Sequence, residues 1–176
     1  MNPPKRLVYL KPSKEDFDRF YEIHSDPETN LFNPNGAMNE AKAEQSYATL
    51  LDHWDKYSFG TWCISEKANP AYVIGFGGLD HRPYGTELKL NLGYRFDKKF
   101  WGKGYATELA NHVIDHGFSE LGKKEIFAIV RPNHLASIKV LEKCNMKLID
   151  ELNDVPNKKN SLIYQIHKAA YIIEKQ

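Results

Sequence analysis

Hydrophobic residues recur along this chain in several rhythms, and each rhythm predicts an element. Leu7 to Leu10 reads as a short first strand. Phe17, Phe20, Tyr21 and His24 then fall at i, i+3, i+4 and i+7, the spacing of one helix face. Ser13 with Asp16 three positions on is a capping-box-like start. Asp26 to Gly36, rich in Asn, Pro and Gly, reads as a loop. Asn39 is placed to cap a second helix whose apolar face is Ala43, Tyr47, Leu50, Leu51 and Trp54.

The period then drops to two. Thr61–Ser65 and Tyr72–Leu79 are β-branched and aromatic, Arg82-Pro83-Tyr84-Gly85 reads as a turn, and Glu87–Phe96 alternates. These three strands read as an antiparallel meander. A long helix follows, with Ala106, Leu109, Ala110, Val113, Gly117 and Leu121 as its buried stripe and Gly122 at its end. Ile126–Val130 is a continuous apolar run, the mark of a strand covered on both faces, and should lie parallel to the strand before the helix. Pro132-Asn133 starts another helix, with Ile138, Leu141 and Cys144 inward and Asn145 as its left-handed cap. Lys147–Ile149 and Leu162–His167 read as two last strands. The expected fold class is mixed α/β: about seven mostly antiparallel strands and about four helices, in the order β-α-α-β-β-β-α-β-α-β-β, as a single domain over 1–176.

Composition narrows the function. With 41% hydrophobic and 27% charged residues the chain has the balance of a folded, soluble protein. A net charge of +1 lacks the basic excess of a nucleic-acid binder. Cys63 and Cys144 have no metal or disulfide spacing and read as buried thiols. No stretch nears the roughly 18 apolar residues of a membrane span, and residues 1–13 carry no signal-like run. A cytoplasmic protein with no membrane partner is expected. His112 and His116 have a metal-compatible spacing but no third ligand nearby in sequence, so they read as helix-surface histidines and no metal is expected.

Trp101-Gly102-Lys103-Gly104-Tyr105-Ala106 carries the chemistry. Two glycines let the backbone turn beside a ligand, a helix N-terminus favours an anion, and Lys103 adds charge, which together suit a phosphate or pyrophosphate. The nucleotide P-loop pattern fails at Tyr105, and the dinucleotide fingerprint fails at Thr107, where a third glycine is needed. In all but its first position the segment resembles the [QR]-x-x-G-x-[GA] signature of the GNAT superfamily of N-acetyltransferases. Trp101 in that setting resembles the branch that acetylates ribosomal-protein N-termini, and its small-molecule relatives. Pro132-Asn133-His134-Leu135-Ala136-Ser137, followed by Val140-Leu141-Glu142-Lys143-Cys144-Asn145-Met146, resembles the family's second CoA segment. Val73–Leu79 resembles its third strand.

The resemblance implies an acetyl-CoA-dependent N-acetyltransferase, with acetyl-CoA as cosubstrate in the gap where the fourth and fifth strands part. It implies pantetheine contacts from Tyr94, Arg95 and Phe96, a pyrophosphate held by Trp101, Gly102, Lys103, Gly104, Tyr105, Ala106 and Thr107, and further CoA contacts from Asn133, His134, Ser137 and Lys143. The acceptor would be an amine, either a small molecule or a peptide N-terminus. Monomer and homodimer both stay open. The sequence also departs from the family pattern. Asn91 stands where many members carry a glutamate base, and can hold a water but not take a proton. Glu87, on the same face, is roughly 13 Å further along an extended strand. His81 is the nearest titratable candidate by type, and an exposed turn histidine is its plainer reading. Leu141 replaces the family's frequent tyrosine acid. Ser137 matches a serine near the CoA sulfur, and Asn133 could instead cap the helix. The catalytic candidates are therefore Ser137, Asn91 and His81. The alternative is a non-catalytic acyl-CoA-binding module.

Overall fold

The computed structural model describes residues 5–174, and nearly every periodic segment becomes the element that its spacing predicts. The elements are β1 (Leu7–Leu10), α1 (Phe17–Ser25), α2 (Glu40–Tyr57), β2 (Thr61–Glu66), β3 (Asn69–Tyr84), β4 (Glu87–Phe96), α3 (Tyr105–Ser119), β5 (Glu125–Val130), α4 (Leu135–Lys143), β6 (Lys147–Leu152), β7 (Ser161–His167) and α5 (Lys168–Glu174). The first four positions of the N-terminal stretch, read above as carrying no signal, lie outside the described residues. The strands form one sheet in the order β1-β2-β3-β4-β5-β7-β6. β4 and β5 are parallel, whereas β1–β2, β2–β3, β5–β7 and β6–β7 are antiparallel. Seven strands in a mostly antiparallel sheet match the expectation.

Several boundaries differ from it. β3 runs through Arg82 and Pro83 to Tyr84, and the turn is the pair Gly85-Thr86. β2 begins at Thr61, opposite Gly78, so its ladder ends before Pro83 is reached. A proline costs no bond to β2 there. α3 stops at Ser119, three residues before Gly122. The helix α5 was not expected: its run is short, and it is held by tertiary contacts. The Tyr171 hydroxyl donates to Asp115 Oδ1 at 2.8 Å, and its ring lies 5.3 Å from that of Phe118.

The chain forms two compact units, Met1–Gly78 with Tyr94–Leu109, and Leu79–Gly93 with Ala110–Gln176. In the first, Phe20, Ile23, Ala43, Tyr47, Cys63 and Phe76 make the core. Helix starts there are capped as expected: Ser13 N–H donates to Asp16 Oδ2 at 2.8 Å, and Lys42 N–H to Asn39 Oδ1 at 2.9 Å. In the second, α3 lies close on the sheet. A Cβ at Gly117 would sit 2.8 Å from Ile126 Cδ1 and 3.0 Å from Leu79 Cδ1, so only glycine permits this approach. Tyr84, Phe127 and Ile163 form a smaller buried cluster in the same unit.

Candidate functional site

In the first unit, a 3-10 turn over Lys98–Phe100 leads from β4 to the glycine segment. Trp101, Gly102, Lys103 and Gly104 are exposed. Gly102 and Gly104 hold φ of +74° and +79°, a region that costs other residues roughly 1–2 kcal/mol. A Cβ at Gly102 would meet nothing within 4 Å, and at Gly104 the nearest atom is Arg6 Nη2 at 3.6 Å. The glycines are thus required by the backbone rather than by crowding, and the space before them is open. α3 starts immediately after, and a helix N-terminus presents N–H groups that its own turns leave unused. An open cradle, a helix start and the cations Lys103 and Arg6 together fit a diphosphate.

Arg6 and Glu108 were missed by the sequence reading. Glu108 Oε1 accepts from the backbone N–H of Arg6 (2.6 Å) and Leu7 (3.1 Å), and Oε2 from Arg6 Nε (2.8 Å). Arg6 Nη1 donates to the carbonyl of Lys103 at 2.8 Å. The start of β1 is thereby tied to the turn. No local pattern pairs residues 102 positions apart. Glu66 accepts from the Tyr105 hydroxyl, and that hydrogen bond, with burial, raises the phenol above its ordinary value. Lys103 Nζ is 3.9 Å from Glu66 Oε1 and lies over the Phe100 ring.

Of the expected pantetheine strand, Phe96 is buried and its carbonyl accepts from Trp101 Nε1 at 3.0 Å. The Arg95 guanidinium donates to the carbonyl of Thr29 at 3.0 Å and to Asn30 Oδ1, so it anchors the Asp26–Gly36 loop. Tyr94 is half-buried.

In the second unit, β4 meets β5 with Asn91 opposite Phe127. Asn91 is 2% exposed. Its Oδ1 accepts from the Tyr84 hydroxyl at 2.8 Å, and its Nδ2 donates to Asp80 Oδ1 at 3.0 Å. Burial, with the nearby Asp80 carboxylate, pushes the Tyr84 phenol up against a smaller opposing effect of Arg82, so it stays a neutral donor. The amide expected to hold a water is therefore bonded to protein at both ends. Glu87 is exposed and paired with Lys89 at 2.8 Å, which holds its carboxyl below the usual range. His81 is half-buried in β3, and strand alternation sets it on the face opposite Asp80 and Tyr84. The structure thus brings Asn91 together with Asp80, which the sequence analysis did not single out.

On α4, Ser137 Oγ lies 3.4 Å from His134 Nε2, both half-buried. His134, not Asn133, occupies the N-cap position, and its side chain makes no capping bond. Pro132-Asn133 is instead a turn closed by His134 N–H to the Arg131 carbonyl at 2.9 Å. Lys143 is exposed and Leu141 is core. Burial pushes the Cys144 thiol up to about 11 and Cys63 higher still, so both are unreactive at neutral pH. His116 Nδ1 is 3.0 Å from Glu120 Oε2. Among the described residues no group of three His, Cys, Asp or Glu could hold a metal ion, and no helix is long and apolar enough to cross a membrane.

A family model described as acetyltransferase (GNAT) domain matches residues 6–147. The chain is 28% identical over 162 residues to "Uncharacterized N-acetyltransferase p20" of Bacillus licheniformis, covering 90% of this chain and 89% of that one. It is 32% identical over 90 residues to "Uncharacterized protein YkkB" of Bacillus subtilis (strain 168), covering 51% of this chain and spanning only about half, 52%, of that protein. The spermidine N-acetyltransferase of Vibrio cholerae, solved with CoA and spermine, superposes with a TM-score of 0.77 at 13% identity, over 96% of this chain and 99% of that one. At that identity the likeness concerns the fold.

Proposed function

The chain belongs to the GNAT acetyltransferase family, and from that premise we propose that residues 1–176 act as one acetyl-CoA-dependent N-acetyltransferase domain for an amine. The observation that carries the reading is the glycine turn: two left-handed glycines, open in front, at the start of α3. Acetyl-CoA supplies an activated acyl group as a thioester. Trp101 to Thr107 hold its diphosphate, with Lys103 and Arg6 supplying charge and Glu108 holding Arg6 and β1 against the turn. The strand Tyr94–Phe96 offers backbone groups to the pantetheine arm. Ser137 donates to the sulfur as the C–S bond breaks, where a hydrogen bond is worth more than in the ground state. Asn133, His134 and Lys143 are further CoA contacts in this reading.

The acceptor is a small amine or a protein N-terminus. The Trp101 segment favours the ribosomal-protein N-terminal branch, and the Vibrio cholerae enzyme's spermine adds a polyamine to the candidates. With two buried free thiols the domain suits a reducing cytoplasm. The test is CoA release, followed with a thiol-detecting dye, over spermidine, other small amines and peptides with free N-termini. Acetyl-CoA binding by calorimetry together with acceptor-dependent release supports the reading. Binding without release from any amine would instead mark a non-catalytic acyl-CoA-binding module, the reading that Asn91 and Leu141 at the usual acid and base positions favour.

A further inference from the structure

We propose that the Asp80 carboxylate is the group that accepts the proton of the acceptor amine, held in place by Asn91 and, through it, by Tyr84. The inference rests on the acetyltransferase reading.

The three residues form a chain that runs from the interior toward solvent. Tyr84 and Asn91 are 5% and 2% exposed, while the Asp80 side chain is 29% exposed. Only the carboxylate end can meet a substrate. A buried asparagine in mid-strand is tolerated when its amide is satisfied, and here both of its partners belong to this chain of bonds. Asp80 Oδ1 takes the Asn91 N–H at 3.0 Å, and Oδ2 lies 3.5 Å from Arg82 Nε. Each carboxylate oxygen has two lone-pair sites, so one contact on each leaves both able to accept a proton. The location also fits. β4 and β5 run parallel, whereas β1–β2, β2–β3, β5–β7 and β6–β7 are antiparallel, and Asn91 lies where β4 meets β5, opposite Phe127.

The neighbouring charged groups do not compete for the role. Arg82, whose side chain is 56% exposed, meets Asp80 Oδ2 only at 3.5 Å. On β4, Glu87 is bound to Lys89, and Lys89 lies over the Phe127 ring of β5. His81 is on the other strand face. Tyr84 is kept neutral by burial.

The step balances as follows. The acceptor arrives as an ammonium. One N–H proton moves to an Asp80 oxygen, directly or through one water, and the freed nitrogen lone pair forms the C–N bond to the thioester carbonyl carbon. The C–S bond breaks with its electron pair on sulfur. A second proton leaves nitrogen as the thiolate is protonated, and Asp80 returns its proton to solvent.

The test compares the wild-type protein, Asp80→Asn, and the swap Asp80→Asn with Asn91→Asp, using spermidine and free-N-terminal peptides as acceptors. At pH 7, Asp80→Asn should lower kcat/KM for the amine by about 100-fold or more. Its log kcat/KM should then rise with unit slope toward the solution pKa of the amine, since only pre-deprotonated acceptor reacts. Acetyl-CoA affinity should stay within about twofold, showing an intact fold. The swap keeps the pair's charge and hydrogen bond and should restore the melting temperature, but it moves the carboxylate to the 2% exposed position 91 and should leave kcat/KM low. An Asp80→Asn protein that matches the wild type across pH overturns the proposal. So does a loss that follows acetyl-CoA affinity or melting temperature, or one that the swap relieves in full. If the wild-type protein releases no CoA with any amine, the acetyltransferase reading fails first and Asp80 with it, an outcome distinct from the other two.

Discussion

At the glycine turn the working parts are backbone. Gly102 and Gly104 set φ, α3 supplies its N-terminus, and the side chains Arg6, Glu66 and Glu108 hold the segment in place. At the β3–β4 junction the working parts are side chains. Asp80, Asn91 and Tyr84 come from two strands and touch through single hydrogen bonds. The turn is consecutive in sequence, so one motif specifies it. The junction exists only when two strands pair in one register. A backbone site tolerates side-chain changes that avoid its glycines, while a side-chain site fails when any one member is lost, because the partners left behind are buried and unsatisfied.

Acid should separate the regions most strongly. The unit that carries the turn also buries His24, whose pKa is lowered to about 3 from an ordinary 6.5, by burial first and then by the Arg95 charge. The folded unit holds this imidazole neutral, while the unfolded chain protonates below 6.5. Stability is therefore full above 6.5 and is lost as pH falls toward about 3, at about 1.4 kcal/mol per unit between the two values. Melting followed from pH 7 to 4 should show this limb, and His24→Gln should flatten it. An unchanged slope would show that His24 does not set it.

The junction's dependence on side chains is tested by Asn91→Leu, which keeps the volume but strands the Tyr84 hydroxyl and frees Asp80. A loss of about 1–3 kcal/mol is expected. Asn91→Asp, which still accepts from Tyr84 but turns the N–H that Asp80 accepts into a second carboxylate oxygen, should cost more. Equal losses in denaturant titrations would mean that packing, not the bond, holds Asn91.

At the turn, Gly104→Glu puts a side chain on a left-handed residue and a negative charge before the diphosphate. Acetyl-CoA binding should weaken by about tenfold or more, about 1.4 kcal/mol, with the fold retained. Unchanged affinity by calorimetry would remove the phosphate from the turn.

Ser137→Ala tests the subtlest effect. Turnover at saturating substrates should fall on the order of tenfold while acetyl-CoA affinity holds, because the sulfur gains charge only in the transition state. A loss confined to affinity would leave Ser137 as a cofactor contact.

The sequence by itself determined the elements and the turn. Helix and strand faces follow from periods of 3.6 and 2, Asn39 and Asn145 take the cap positions that their residue types suit, and the Gly102–Gly104 turn follows from consecutive residues whose backbone preferences are intrinsic. Only the tertiary structure decided the pairings. Arg6 meets Glu108 across 102 positions of chain. A turn at Arg82–Gly85, as its composition suggested, would have set Asn91 opposite Phe76. The two-residue turn at Gly85-Thr86 instead lets the Asn91 amide reach Asp80 Oδ1. Strand register depends on which turn closes the hairpin and which faces are buried, both properties of the packed sheet. Turn-forming residues within a few positions of each other carry too little energy difference to choose alone, so the carboxylate nearest the junction was legible only once the strands were paired.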